Sequence, residues 1–245
     1  MLAFVVFVFA LAGVIKGTIG LGLPAVSMGL LSLVISPFQA ATLLIIPSMV
    51  TNVWQLFAEG HVIKLIRRFW SLLLGMILGS IWSIFPTLGH SHFPSEALLG
   101  GMLALYGFYG LCAKSMPNLS KHEHWLSPLI GYLGGALTVA TGVVVIPVVP
   151  YLQSLHLKRD DLVQSLGLAF TVSTLCLALY LHLHPVNDTP IDYQMSLIAL
   201  FPALIGMWLG TKIRYHIPEH KFRKVFFIGL VFFGSYMVLH QLGEV

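Results

Sequence analysis

The sequence predicts an all-α, polytopic membrane protein arranged as an inverted repeat, each half a broken-helix hairpin followed by three transmembrane helices. Three observations predict it. The 245-residue chain is 57% hydrophobic and only 9% charged, with a mean hydropathy of +0.89, whereas a soluble domain carries about a quarter charged residues. Apolar runs near or above about eighteen residues recur along the whole length, enough for a helix to cross a bilayer and more than a barrel strand requires. Two distant segments, "LLGMILGS" at 73–80 and "LIGMWLGT" at 204–211, match at almost every position.

The elements follow in order. The first apolar region, 2–35, is broken near 16–22 by "VIKGTIGLGLP", which places a lysine, a threonine, three glycines and a proline among apolar residues. Runs follow at 38–58, 69–88 and 97–113. A second broken region, 125–155, is interrupted near 138–142, and runs at 162–183, 193–211 and 222–242 complete the pattern. No soluble domain fits between them. The longest polar stretch, 114–124, reads as a cytoplasmic linker between a first membrane repeat, 1–113, and a second, 125–245. Cys112 and Cys176 match no disulfide or zinc spacing and read as small, buried packing residues. Ala10-Leu11-Ala12 resembles a signal cleavage site, but no basic stretch precedes it and the apolar pattern continues past it, so cleavage is not expected.

Positive charge gives the topology. Lys64, Arg67 and Arg68 read as one loop, Lys114 and Lys121 as a second, Lys158 and Arg159 as a third, and Lys212, Arg214, Lys221, Arg223 and Lys224 as a fourth. The stretches 89–95 and 184–192 contain no lysine or arginine. Positive-inside bias places the basic loops in the cytoplasm and the other two outside. The net charge of +4 is spread over loops and reads as topology information, not as a nucleic-acid surface. Both flanks of 125–155 are then cytoplasmic. About thirty residues at 1.5 Å each cannot make two full spans, so this region should enter and return on one side. By the same logic 2–35 is a hairpin with both ends outside. Each half makes an odd number of crossings, so the repeats are inverted, an arrangement that, with interrupted helices, marks secondary transporters and channels with their site at the repeat interface.

Irregular backbone at membrane depth is tolerated where it is buried in protein or lines a cavity. Pro24 and Pro147 suit the first turn of a helix. Each break is therefore expected to open a helix N-terminus toward the protein centre, where bare amides and the positive dipole end attract anions. The candidate substrate-binding residues are Lys16, Thr18, Gly20 and Gly22 from the first break and Thr138, Thr141 and Gly142 from the second. Lys16 has a second reading, snorkelling to the inner interface. For Gly75, Gly79, Gly206 and Gly210 the expected role is close helix–helix packing.

Polar residues inside the spans extend the candidate site. Asn52 and Gln55 are three apart on one helix face, and Ser173 lies at comparable depth in the matching span with Thr171 and Thr174. Unpaired amides and hydroxyls are costly in hydrocarbon, so these face the interior, toward substrate or toward another helix. Pro47 is expected to kink its helix and free a carbonyl. No carboxylate falls mid-span, which disfavours a carboxylate relay and a cation substrate. Three His-x-His pairs, His90/His92, His122/His124 and His182/His184, all lie at span ends, where an interfacial histidine is the default reading. They support the rival reading of a divalent-metal permease only if held in extended loops. An intramembrane enzyme is the weakest alternative, since no H-E-x-x-H, mid-span aspartate pair or nucleophile motif occurs. No catalytic residue, metal ligand or cofactor is expected. The expected partners are a small anion and the lipid bilayer, not nucleic acid, and a homo-oligomer is compatible with the sequence.

The chain resembles the TauE/SafE family of sulfite and organosulfur anion exporters. The resemblance rests on the ladder Gly13, Gly17, Gly20-Leu21-Gly22 ending in Pro24, on Ser36-Pro37-Phe38-Gln39-Ala40-Ala41-Thr42 opening a span with Thr51-Asn52, on Gly60-His61-Val62, and on Gly75-x-x-x-Gly79. It covers the whole chain. The family's glycine triplet is here Gly20-Leu21-Gly22, and only Thr141-Gly142 remains in the second half. The resemblance implies a multi-pass protein of the bacterial inner membrane that moves small anions such as sulfite or sulfonates.

Overall fold

The computed structural model describes residues 1–58, 60–88, 95–112, 117–185, 192–214 and 219–243. Its elements are helical: α1 (Leu2–Ile19), α2 (Leu23–Leu31), α3 (Pro37–Leu56), α4 (Val62–Ile81), α5 (Ser95–Cys112), α6 (Glu123–Thr141), α7 (Val148–Ser154), α8 (Arg159–Leu183), α9 (Tyr193–Ile213) and α10 (Glu219–Gly243), with one 3-10 turn at Ser120–His122. No strand occurs among the described residues. Four helical stretches among them, Leu2–Ile19, Arg159–Leu183, Tyr193–Ile213 and Phe222–Gln241, are long and apolar enough to cross a membrane. Both breaks fall where the glycines predict them.

Three expectations are corrected. The basic residues read as loops are largely helical: Lys64, Arg67 and Arg68 lie in α4, Arg159 in α8, Lys212 in α9, and Arg223 and Lys224 in α10. In α4 the reason is visible. The helix kinks at Phe69 (φ −100°, ψ 15°), so a polar opening turn precedes the apolar stretch that the sequence places at 69. The apolar run to 88 does not stay helical past Ile81. Ser83 and Pro86 interrupt it, and this tail lies along α6, where Leu88 N–H donates to Val139 O (2.8 Å) and Ser83 Oγ to Ala136 O (3.4 Å). Cys112 is exposed at the end of α5 rather than buried, and Cys176 is half-buried.

The chain forms two compact units that interleave in sequence. The first comprises Met1–Pro47, Ser91–Ala113 and Ile191–Val245; the second comprises Ser48–His90 and Lys114–Pro190. The chain passes from one to the other within α3, at Pro47.

In the first unit α1 packs along α9, α5 along α10, and α2 against α1. The α1–α9 contact is backbone on backbone. A methyl added at Gly17 would collide with the Met207 carbonyl, and one at Gly210 with the Val14 carbonyl. The register, Gly13 on Ala203 and Gly17 on Met207, makes the two helices parallel. α5 and α10 run antiparallel, with Gly107 beside Phe227 and Gly100 beside Gly234. α3 joins this unit through its proline. Pro47 has no N–H for the Leu43 carbonyl one turn back. Buried Ser196 of α9 fills the vacancy: its hydroxyl donates to Leu43 O (2.9 Å) and accepts from Ile46 N (3.2 Å).

In the second unit α4 packs along α6 in the same manner. Gly75 lies on Pro128, Gly79 on Tyr132, Gly131 on Leu72 and Gly135 on Met76, again parallel and too close for any side chain. At the polar end Arg68 grips Glu123 with two hydrogen bonds of 2.8 Å. α7 returns toward the start of α6: Ser127 Oγ meets Tyr151 OH (2.6 Å), and Leu119 N–H donates to Ser154 O (3.2 Å). A polar clamp fixes α4 to α8. His61 Nδ1 and Lys64 Nζ lie 2.9 and 3.6 Å from the Asp161 carboxylate, while Gln164 accepts from His61 N–H (3.2 Å) and donates to Leu56 O (2.8 Å).

Two outcomes follow from this packing. Gly135→Val forces α4 and α6 apart and costs about 1–3 kcal/mol of stability, whereas Gly101→Ala, where an added carbon meets nothing, leaves the melting temperature unchanged or raised; thermal denaturation of the purified variants checks both. Tyr151→Phe strands the Ser127 hydroxyl and costs about 1 kcal/mol, and a Ser127→Ala, Tyr151→Phe double variant loses less than the sum of the two.

Candidate functional site

The first break is built by glycine stereochemistry. Gly20 (φ 83°, ψ 3°) ends α1, its amide donating to Lys16 O (2.7 Å), and Gly22 (φ 100°, ψ −10°) precedes α2. Both lie in the left-handed region that side chains resist. Pro24 sits in the first turn of α2, as expected. Lys16 is buried, 3% exposed, in the last turn of α1, where a cation offsets the negative end of the helix dipole. Thr18 is buried too, but its hydroxyl donates within its own helix, to Ile15 O (2.8 Å). The packing of Gly17 against Met207 sets Lys16 level with the closing turns of α9, not halfway along it. The reason is length: α1 has eighteen residues, about 27 Å of helix before the break begins.

The second break departs from expectation at its far side. Gly142 (φ 76°, ψ 1°) ends α6 in the same way, its amide donating to Thr138 O (2.8 Å). No helix opens there. Residues 143–147 are non-helical, Pro147 precedes α7 instead of lying in its first turn, and α7 has only seven residues. So short a helix builds little dipole, and any anion affinity in this unit rests on side chains. Thr141 is fully buried and folds its hydroxyl onto the break: Oγ1 lies 2.8 Å from Leu137 O and 3.2 Å from Val143 O, and it accepts from Val143 N–H (3.3 Å).

Within the second unit the structure brings three helices together around polar side chains. Asn52 of α3, fully buried, donates through Nδ2 to Thr174 Oγ1 of α8 (3.2 Å). The neighbouring residue Ser173 lies 3.0 Å, oxygen to oxygen, from Thr138 of α6. Ser173 and Thr174 fall in the middle third of α8. Thr138 and Thr174 each give their proton to a carbonyl one turn back, Gly134 O (2.7 Å) and Phe170 O (2.8 Å). In the Thr138–Ser173 pair the serine is therefore the donor. Gln55 does different work, its Nε2 donating to Val163 O (3.0 Å) near the polar end of α8.

Sequence reasoning missed Ser48. It is 1% exposed, and among the described residues its hydroxyl meets no hydrogen-bond partner. It precedes Asn52 by one helical turn and so shares its face. That spacing was the available signal, masked because a lone serine in an apolar run is common. The cluster as a whole offers hydroxyls and an amide with no carboxylate among them.

Among the described residues the histidine pairs do not assemble into a metal-binding group. His122 and His124 are exposed, as are His182 and His184, where His184 stacks on Tyr180 at 4.6 Å. His90 and His92 lie outside the described residues. Among the described residues no group of three or more histidines, cysteines or carboxylates is placed to hold a metal ion.

No curated protein and no solved structure matches the chain. A family match is clear, however. The family described as sulfite exporter TauE/SafE matches residues 5–237, a stretch that takes in both breaks, the glycine-packed helix pairs and the buried polar cluster. The chain belongs to the TauE/SafE family of membrane transporters and is a multi-pass membrane protein.

Proposed function

We propose that the protein is a carrier, not an enzyme, that moves a small sulfur-containing anion, such as sulfite or a sulfonate, across the bacterial inner membrane. Family membership supports the transport class. The observation that carries the site is the buried polar cluster of the second unit, where Asn52, Thr138 and Ser173 converge with Thr174 and with a Ser48 hydroxyl that meets no partner among the described residues. Polar side chains in hydrocarbon are costly and mark substrate paths. Amide and hydroxyl donors without a carboxylate suit an anion and repel no negative charge. Thr141 and Gly142 border this cluster through the end of α6. To the first break we assign attraction of the anion by buried Lys16, with Gly20 and Gly22 keeping the backbone open beside it and Thr18 serving the helix end. Gln55 is a positioning residue in this reading.

We further propose that the two halves are inverted repeats. Support comes from how the matching segments pack. "LLGMILGS" lies in α4 and packs on α6, the helix that leads into the second break. "LIGMWLGT" lies in α9 and packs on α1, the helix that leads into the first. Lys16 and Thr138 hold corresponding places, each accepting the amide of a left-handed glycine four residues on. The return contacts of α7 on the start of α6, Ser127 with Tyr151 and Leu119 with Ser154, support a hairpin that enters and leaves on one side.

Reconstitution into proteoliposomes tests this reading. Labelled sulfite or a short alkyl sulfonate should enter faster than nickel or cobalt ions. Asn52→Ala with Ser173→Ala should cut that flux by about tenfold or more, equivalent to the loss of about two buried hydrogen-bond donors, with helix content unchanged. Equal flux in the double variant, or faster metal entry, overturns the assignment.

A further inference from the structure

In the second unit α6 and α8 are joined twice, and the transport reading uses only the first join. Inside the polar cluster Thr138 of α6 meets Ser173 of α8 at 3.0 Å. Toward the closing ends of both helices, the chain that follows α4 joins them again. Leu88 N–H donates to Val139 O of α6 (2.8 Å), and Tyr180 OH of α8 donates to Oγ1 of Thr87. Adjacent Cα atoms stand about 3.8 Å apart, so residues 87 and 88 cross the gap between the two helices. On α6 this crossing lies one residue beyond Thr138. On α8 Tyr180 lies about two turns beyond Ser173 on the same face, with buried Leu177 between them.

The second break explains this course. Val143 N–H, which an unbroken helix would give to Val139 O, turns to Thr141 Oγ1 instead (3.3 Å). The Leu88 amide takes the vacated carbonyl, and the Leu88 side chain is buried there. Residues 82–88 contain no helix, and Pro86 brings no N–H. At its start this strap is tied to the side of α6, by Tyr132 OH on Trp82 O and by Ser83 Oγ on Ala136 O (3.4 Å). At its far end it is held by the Leu88 amide and the Tyr180 hydroxyl. Trp82 and Ile84 are exposed, so the strap is packed on one side only. His184 stacks on the Tyr180 ring at 4.6 Å and braces it.

We propose that the strap 82–88 is a gate on the anion path: it closes the cluster of Asn52, Thr138 and Ser173 toward the His184 end of α8, and the Tyr180–Thr87 hydrogen bond is its latch. The inference rests on the transport reading of that cluster. Charge bias places the His184 end outside, which makes this the outer gate. A carrier exposes its site to each side in turn, so one part must move without dissolving the bundle. The strap meets that need. Its release breaks one hydroxyl pair and one amide bond, and the glycine contacts of α4 with α6 stay as they are. Tyr180 acts through the strap and is a positioning residue. Loss of its hydroxyl raises the open population about fivefold, the effect of one net hydrogen bond on a two-state equilibrium.

The test uses the full chain in proteoliposomes, with Cys112→Ser and Cys176→Ser. Leu177→Cys reports opening through its rate of reaction with a membrane-impermeant maleimide. Tyr180→Phe should raise that rate about fivefold. Tyr151→Phe, which removes a hydroxyl contact at the start of α6, should leave it unchanged. In a second arm Thr87→Cys and Tyr180→Cys are bridged by a short bis-thiosulfonate reagent, and mass spectrometry verifies the bridge. Bridging should stop uptake of labelled methanesulfonate, and a reductant should restore it; sulfite is avoided in this arm because it cleaves disulfides. Unchanged labelling in Tyr180→Phe, an equal rise in Tyr151→Phe, cysteines that do not bridge, or full uptake after bridging overturns the gate and leaves the transport reading standing. Absence of both methanesulfonate and sulfite uptake by the unaltered protein overturns the transport reading, and the gate with it.

Discussion

The architecture depends on backbones touching. In hydrocarbon there is no water to expel between helices, so association relies on dispersion contacts that fall off within an ångström. The chain meets this demand by clearing side chains from two strips. Gly13 and Gly17 face Gly206 and Gly210 along α1 and α9, and Gly75 and Gly79 face Gly131 and Gly135 along α4 and α6. These contacts anchor the helices that lead into the breaks. Because α1 and α6 are held along much of their length, the chain beyond them can abandon helical geometry at Gly20 and Gly142 without the helices losing their places.

Once backbone leaves the helix inside a membrane, each freed polar group needs a partner. The protein supplies these partners one at a time. Ser196 answers the carbonyl that Pro47 leaves open, Gln164 takes the Leu56 carbonyl at the end of α3, and Thr141 folds onto the break it borders. Several threonines give their proton to their own helix. This economy separates structural hydroxyls from those left for a ligand. Ser48 is the hydroxyl of the cluster that meets no partner among the described residues, whereas Ser173 gives its proton to Thr138; on the reading proposed above, the cluster around Asn52 holds a guest.

Local features were legible in the sequence and partnerships were not. Glycine at Gly20, Gly22 and Gly142 announces a left-handed turn because no other residue adopts it cheaply, and apolar length announces a helix regardless of its neighbours. The start of α4 was misread because Lys64, Arg67 and Arg68 resemble a loop when charge is weighed without the kink at Phe69 that lets a polar turn join an apolar helix. Its end was misread because Ile84 and Phe85 continue the apolar pattern after the helix has stopped. Small-residue spacing predicted that Gly75, Gly79, Gly206 and Gly210 face other helices, but such a strip fits many helices and does not name its mate. The same limit governs the site. Asn52, Thr138 and Ser173 stood out as polar residues among apolar ones. The contact of Asn52 with Thr174, one residue beyond Ser173, depends on how α8 is rotated, which the order of residues along one helix does not encode.

The missing rung at Pro47 has a mechanical consequence. A helix resists bending through its ladder of hydrogen bonds, and α3 has one bond fewer at the very residue where the chain leaves its first compact unit for its second. Flexure of that helix is therefore concentrated at a single point. The carbonyl left open at that point is met by the rotatable hydroxyl of Ser196 on a different helix, so the stiffness of α3 there depends in part on a side chain outside it.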